Sequence, residues 1–160
     1  MLHIRPADLA APEDARIIVE LLDEYARDPM GGGSPLPGDV RRRLPGELAR
    51  RPGAHALMAR LDGEPAGMAL CFEGFSTFAA RPLLNIHDFM VRAPLRGRGV
   101  GRALMAAAED LARALGCCKL TLEVLEGNAP AQALYRAAGF AGYSLSDETG
   151  RALFWQKKLD

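Results

Sequence analysis

The sequence lacks any run of about 18 apolar residues, the length a membrane-spanning helix needs. No membrane partner is therefore expected. It also lacks net charge, because twenty Lys and Arg balance twenty Asp and Glu. A general nucleic-acid or membrane-surface role gets no support from such a balance. Only local basic clusters remain, at Arg41, Arg42 and Arg43 and at Arg96, Arg98 and Arg102. Cysteine is scarce. Cys71, Cys117 and Cys118 are odd in number and two are adjacent, which gives neither a disulfide framework nor a metal-ligand spacing. They read as small buried apolar residues in a reducing cytoplasm, and no metal is expected. The opening MLHIRPADLA has no apolar core of a secretory signal.

What is present suits one globular domain over residues 1–160, with 49% apolar and 25% charged residues. LHIRPA reads as a short strand. Ile17, Ile18, Leu21, Leu22 and Tyr25 have the spacing of an amphipathic helix over residues 12–28. DPMGGGSPLPG then forms a mobile loop. Residues 40–51 read as a second, basic helix interrupted at Pro45-Gly46. HALMARL and PAGMALCFEGF flank DGEP as a hairpin. LLNIHDFMVR is apolar on both faces, which suits a central strand. Val100, Leu104, Ala108, Leu111 and Leu115 form one helical stripe ended by Gly116. CKLTLEVL is a further strand, and NAPAQALYRAAG a short helix with Asn128 as N-cap. FAGYSLS and RALFWQKKL close the chain as a hairpin across DETG, with Trp155 expected in the core. The order βααβββαβαββ predicts an α+β fold around a mixed sheet, with no internal repeat.

One stretch carries chemistry: APLRGRGVGRALM, residues 93–105. Gly97, Gly99 and Gly101 stand between a buried strand and a helix start. Backbone N–H groups there have no helical acceptor, and the macrodipole adds partial positive charge. Glycines let a polyanion approach the backbone, and Arg96 and Arg98 add charge-assisted contacts to phosphate oxygens. A dinucleotide fingerprint begun at Gly97 needs a glycine where Arg102 stands. A Walker A loop needs that glycine and then a lysine, where the chain has Ala103.

Arg96-Gly97-Arg98-Gly99-Val100-Gly101 resembles the (Q/R)-x-x-G-x-(G/A) signature of the GNAT superfamily of N-acetyltransferases. Asn128-Ala129-Pro130-Ala131-Gln132-Ala133-Leu134-Tyr135 resembles the N-x-x-A-x-x-L-Y segment found after the next strand in that superfamily, and the RAAGF after it resembles its usual continuation. The element order matches over nearly the whole chain. The resemblance implies a mostly antiparallel central sheet with a splayed central strand pair, and acetyl-CoA as donor. It places the pyrophosphate on the N–H groups of Arg98, Gly99, Val100, Gly101 and Arg102. The pantetheine arm would pair with the backbone of Phe89, Met90 and Val91 and touch Asn128, and Tyr135 would point at the thioester sulfur. A homodimer through the last strands is a further family habit.

Acyl transfer to an amine in a ternary complex poses two proton problems. A free alkylamine, with a pKa near ~10.4, must be neutral to attack, and the departing thiolate takes up a proton. The resemblance assigns the second task to Tyr135. Backbone N–H groups near Met90 are candidates to polarise the thioester carbonyl. His87 and Asp88 compete for the base, since neighbouring strand residues point to opposite faces; a water chain is the third candidate. The related diamine and thialysine acetyltransferases carry Glu-Asp on this strand, so Asp88 matches the second acid and His87 replaces the first. The acceptor pocket is expected along the first helix, the Gly/Pro loop and CFEGFSTF. Glu24, Phe75, Ser76 and His87 are the expected contacts, and Glu20, Asp23, Glu73 and Phe78 are further candidates. The acceptor itself reads as a small primary amine: a diamine, a polyamine or an amino-acid-like amine. A peptide amine and a non-catalytic acyl-CoA sensor are the alternatives.

Overall fold

Four strands, the second and third with unbroken buried apolar runs, form an antiparallel meander in the computed structural model, which describes residues 1–159. These are β1 (Leu2–Ala7), β2 (Ala54–Leu61), β3 (Glu64–Ser76) and β4 (Arg81–Val91). The β2–β3 turn has two residues between Leu61 and Glu64, and both lie at positive φ, Asp62 at 53° and Gly63 at 90°. A two-residue hairpin turn demands that geometry, and an Asp-Gly pair accepts it at little cost. The fifth strand, β5 (Leu120–Leu122), lies parallel to β4 at the sheet edge, so β4 is internal as expected.

The sheet separates two helical layers. On one face, α1 (Pro12–Arg27) and α2 (Gly38–Arg50) bury Ile17, Ile18, Leu21, Leu22 and Leu48 against Ala56, Met58, Met68, Leu70 and Met90. On the other, α3 (Val100–Ala114) buries Val100, Leu104, Met105, Ala108 and Ala112. A Cβ on Gly67 would stand 2.5 Å from the Met90 carbonyl oxygen and 3.3 Å from Leu104 Cδ1, so β3 and α3 approach closely only because residue 67 is glycine. The α2 helix continues through Pro45, where an interruption was expected. Leu44 and Leu48, on either side, pack on the core and offset the missing hydrogen bond.

An ion pair fastens β1 to α1. Asp14 is buried and accepts two bonds from Arg5, at 2.5 and 2.7 Å, and one from the Asp8 N–H at 2.8 Å. The Arg5 hydrogen bonds, supported by the Asp8 amide against the cost of burial, hold the Asp14 carboxyl down at about 2. Cys71 is fully buried, and burial pushes its thiol up to about 12. Cys117 and Cys118 are half-buried, and all three are free.

The described chain divides into two units, residues 1–122 and the segment from Glu123 onward. The second unit contains α4 (Ala129–Ala137), capped at its N-terminus by Asn128 Oδ1, which accepts from the Ala131 N–H at 3.3 Å. The hairpin expected at the chain end is reduced to one bridge, Ser144 with Arg151, around a turn tied by Ser146 and Thr149. Two strands alone are marginal in water. Trp155, expected in the core, is 82% exposed. Among the described residues no helix is long and apolar enough to cross a membrane. No cluster of three or more His, Cys, Asp or Glu there could hold a metal ion.

Candidate active site

The β3–β4 ladder contains a one-residue irregularity. Asp88 faces Leu70 while Ile86 faces Cys71, so His87 is an extra residue in β4, a β-bulge. The bulge overturns the expectation that His87 and Asp88 point to opposite faces. Met90 and Leu70 belong to the α1 face, so Asp88, opposite Leu70, faces α1 as well. The exposed His87 ring meets Phe72, also on the α1 face, edge-on with centroids 5.3 Å apart and planes at 78°. An imidazole and a half-buried carboxylate therefore share one side of the sheet. Burial raises the Asp88 carboxyl above its usual range, with the His87 charge opposing the rise. Tyr25, on the last turn of α1, packs against the same core. Burial, with the nearby charges of Asp88 and Asp28, pushes its phenol up.

The bulge also bears on β5. Its pairing with β4 covers only Leu84, Asn85 and Ile86 and ends where the bulge begins. Beyond this point β4 runs on without β5, as in the expected splay. The Arg92 N–H bonds the Ala66 carbonyl of β3, which by alternation turns the Met90 amide toward β3 and those of Phe89 and Val91 toward the β5 side. Met90 is thus committed to the ladder, and the outward-facing groups of this strand come from its two neighbours.

After β4, a 3-10 turn (Ala93–Leu95) leads into the glycine loop and α3. Gly97 has φ 78° and Gly99, the N-cap of α3, has φ 84°, values that side-chain-bearing residues adopt only with strain. No atom lies within 4 Å of a Cβ placed on either, so the space beside them is open. The first helical bond is Ala103 N–H to the Gly99 carbonyl, which leaves the N–H groups of Val100, Gly101 and Arg102 without helical acceptors. No acidic residue stands in this turn. Arg98 and Arg102 are exposed. Open donors, positive dipole and cationic side chains fit a pyrophosphate. Arg96 is already engaged: Nη2 donates to Asp28 at 2.8 Å and Nε to the Val91 carbonyl at 3.1 Å.

The acids expected to meet the acceptor have internal partners. Glu24 accepts from Arg92 at 3.0 Å, Glu20 pairs with Arg16, and Asp23 takes Arg27 together with the Leu36 N–H. Glu73 accepts from His55 at 2.7 Å and, two residues beyond Cys71, falls with Phe75 on the α3 face. Ser76, in step with Phe72, falls on the α1 face. Phe75 and Phe78 are exposed. The Gly/Pro loop, expected to be mobile, is pinned: Asp28 Oδ1 accepts the Met30 N–H, its carbonyl accepts Gly31 and Gly33, and Leu36 is held by Asp23. Two of the basic triplet have acidic neighbours, Arg41 near Asp23 and Arg43 near Asp39. In the second unit, Tyr135 is buried on α4, its ring 6.1 Å from Phe140. Sequence reasoning missed Tyr25 and Phe72, both hidden in apolar periodicity, and Asp28, whose only signal was its place at a helix end.

The site is thus an internal strand carrying a bulge, followed by an open, glycine-capped helix. The chain belongs to the acetyltransferase (GNAT) family, whose model matches residues 18–140. It is 45% identical over 80 residues to streptothricin acetyltransferase of Streptomyces lavendulae, covering 50% of this chain and 40% of that protein. It is 32% identical over 93 residues to a thialysine N-epsilon-acetyltransferase of Caenorhabditis elegans, covering 58% of each. With aminoglycoside N(6')-acetyltransferase type 1 of Stenotrophomonas maltophilia it shares 30% over 125 residues, 76% of this chain and 78% of that one. The chain thus spans about half the length of the first two relatives. The fold matches that of AAC(6')-Iy in complex with the bisubstrate analog CoA-S-monomethyl-acetylneamine, with a TM-score of 0.75, 20% identity and 99% of both chains covered.

Proposed function

We propose that the protein transfers the acetyl group of acetyl-CoA to a primary amine of a small molecule, by direct attack in a ternary complex. One observation carries the reading: the β4 bulge sets His87 and Asp88 on a single face, on the strand that leads, through a short turn and the glycine loop, into the open N-terminus of α3. The names of the relatives agree, since those proteins act on streptothricin, thialysine and aminoglycosides.

Val100, Gly101 and Arg102 N–H groups, with Arg98, hold the donor's pyrophosphate. The outward backbone of Phe89 and Val91 aligns the pantetheine arm. The coenzyme supplies an activated thioester. His87 accepts the proton that the amine loses as its nitrogen bonds to the acetyl carbon, and Asp88 beside it stabilises the imidazolium. Tyr135 gives its proton to the departing sulfur, a role that rests on the helix motif around it. The products are an N-acetylamine and free coenzyme A, so each turnover releases one thiol.

Thiol release across a panel of primary amines tests the proposal, with Tyr135→Phe and His87→Ala beside the wild type. Amine-dependent release, lowered roughly a hundredfold in each variant, is expected. Binding of the donor without turnover on any amine would identify a sensor instead.

A further inference from the structure

The tie between Asp28 and Arg96 joins two loops of separate duty. Asp28 closes α1 and organises the turn beyond it. Its Oδ1 accepts the Met30 N–H at 2.9 Å, and its carbonyl accepts Gly31 at 2.8 Å and Gly33 at 3.1 Å. Its second carboxylate oxygen takes Arg96 Nη2 at 2.8 Å, and that hydrogen bond, with the Met30 amide, holds the carboxyl below its ordinary range. Arg96 is anchored from the other side by the Val91 carbonyl and immediately precedes Gly97, where the open cradle begins. Arg96 thus joins a carboxylate of the loop over residues 28–37, through its guanidinium, to the first glycine of an anion cradle, through its backbone. Asp28 is half-buried, its side chain 22% exposed, whereas that of Arg96 is 56% exposed, so the guanidinium is the partner with freedom to re-aim.

We propose that Asp28 is a positioning residue: acting through Arg96, it couples the loop at residues 28–37 to the donor cradle, because a coenzyme A pyrophosphate and the Asp28 carboxylate compete for the same guanidinium. This rests on the reading of residues 96–101 as the donor site. Donor binding draws Arg96 from Asp28 and loosens the loop on the acceptor side. Linkage makes the effect reciprocal: whatever weakens the Asp28–Arg96 pair strengthens donor binding. A residue that merely held the fold together would act with the opposite sign, because its loss would damage the cradle.

The test is a double-mutant cycle on coenzyme A affinity, read by calorimetry on the full chain. Asp28→Asn keeps the side-chain oxygen that accepts from Met30 and removes the charge. It is expected to tighten binding by about two- to fivefold, the range for a partly exposed ion pair. Arg96→Ala is expected to weaken binding roughly tenfold. In the Arg96→Ala background, Asp28→Asn is expected to change nothing. Amide exchange at Met30, Gly31 and Gly33 is expected to quicken when coenzyme A is added to the wild type. If Asp28→Asn does not fold, Asp28→Ser, which retains an acceptor for Met30, replaces it. Unchanged or weaker affinity in the asparagine variant overturns the proposal. So does equal tightening with and without Arg96, which would be simple charge repulsion. No coenzyme A binding by the wild type would overturn the donor site itself, whereas wild-type binding with a flat cycle overturns only the coupling.

Discussion

The ring of His87 meets the ring of Phe72 edge-on, with centroids 5.3 Å apart and planes at 78°. Without the bulge, alternation would turn one of the pair His87 and Asp88 away from α1. The contact orients the imidazole while the residue stays exposed.

This arrangement predicts how activity depends on pH. With His87 as base, the amine sheds its proton to the ring, and in His87→Ala kcat/KM is expected to climb with pH toward the ionisation of the amine itself, near ~10. A pH profile of thiol release checks this, and an unchanged profile in the variant removes His87 from the role.

Asp88→Asn is predicted to separate stability from activity. Burial raises the Asp88 carboxyl, so the folded state binds its proton more tightly than the unfolded chain does. The Asp88 contribution to stability is therefore fully present below the unfolded value near ~3.9 and is lost as pH rises through the folded one. The asparagine variant lacks that fall. It is expected to resist urea better than the wild type at neutral pH, by up to about 1 kcal/mol, while thiol release drops.

Asp14 acts with the opposite sign. Its carboxyl is held at about 2 by Arg5 and the Asp8 amide, below the unfolded value. Its contribution is full above roughly pH 4 and is lost as pH falls through about 2. Asp14→Asn is expected to cost on the order of 1–2 kcal/mol at pH 7 and to flatten the acid limb of a urea-midpoint profile between roughly pH 4 and 2.

Much of this was legible in the sequence. The Asp62-Gly63 turn, the first half of the α3 stripe at Val100, Leu104 and Ala108, and the Asn128 cap each have local causes, and each formed at the expected residues. The bulge at His87 was not legible, because one extra residue in a ladder is a property of two strands, and β4 alone does not show it. Its consequences, a β5 of three residues and two polar side chains on one face, were hidden with it. The terminal hairpin had the right alternation and turn, yet only Ser144 and Arg151 bridge, since alternation does not specify a partner. Asp28 and Arg96 are 68 residues apart, and nothing local announces their bond.

The glycine loop gives a further prediction. Gly99 holds φ 84° with open space beside it, so Gly99→Ala strains the backbone without a clash in the protein itself. A cost of about 1 kcal/mol in stability is expected. The larger loss is expected in coenzyme A affinity, because the N–H groups it aims no longer converge. Equal affinities for variant and wild type, measured by calorimetry, would remove the loop from donor binding.

The most direct measurement is thiol release from acetyl-CoA by the wild-type protein, with and without primary amines. Acetyl transfer predicts release that depends on the amine and leaves an N-acetylated product in equal amount. Release that ignores every amine, or none from a protein that binds the donor, would contradict it.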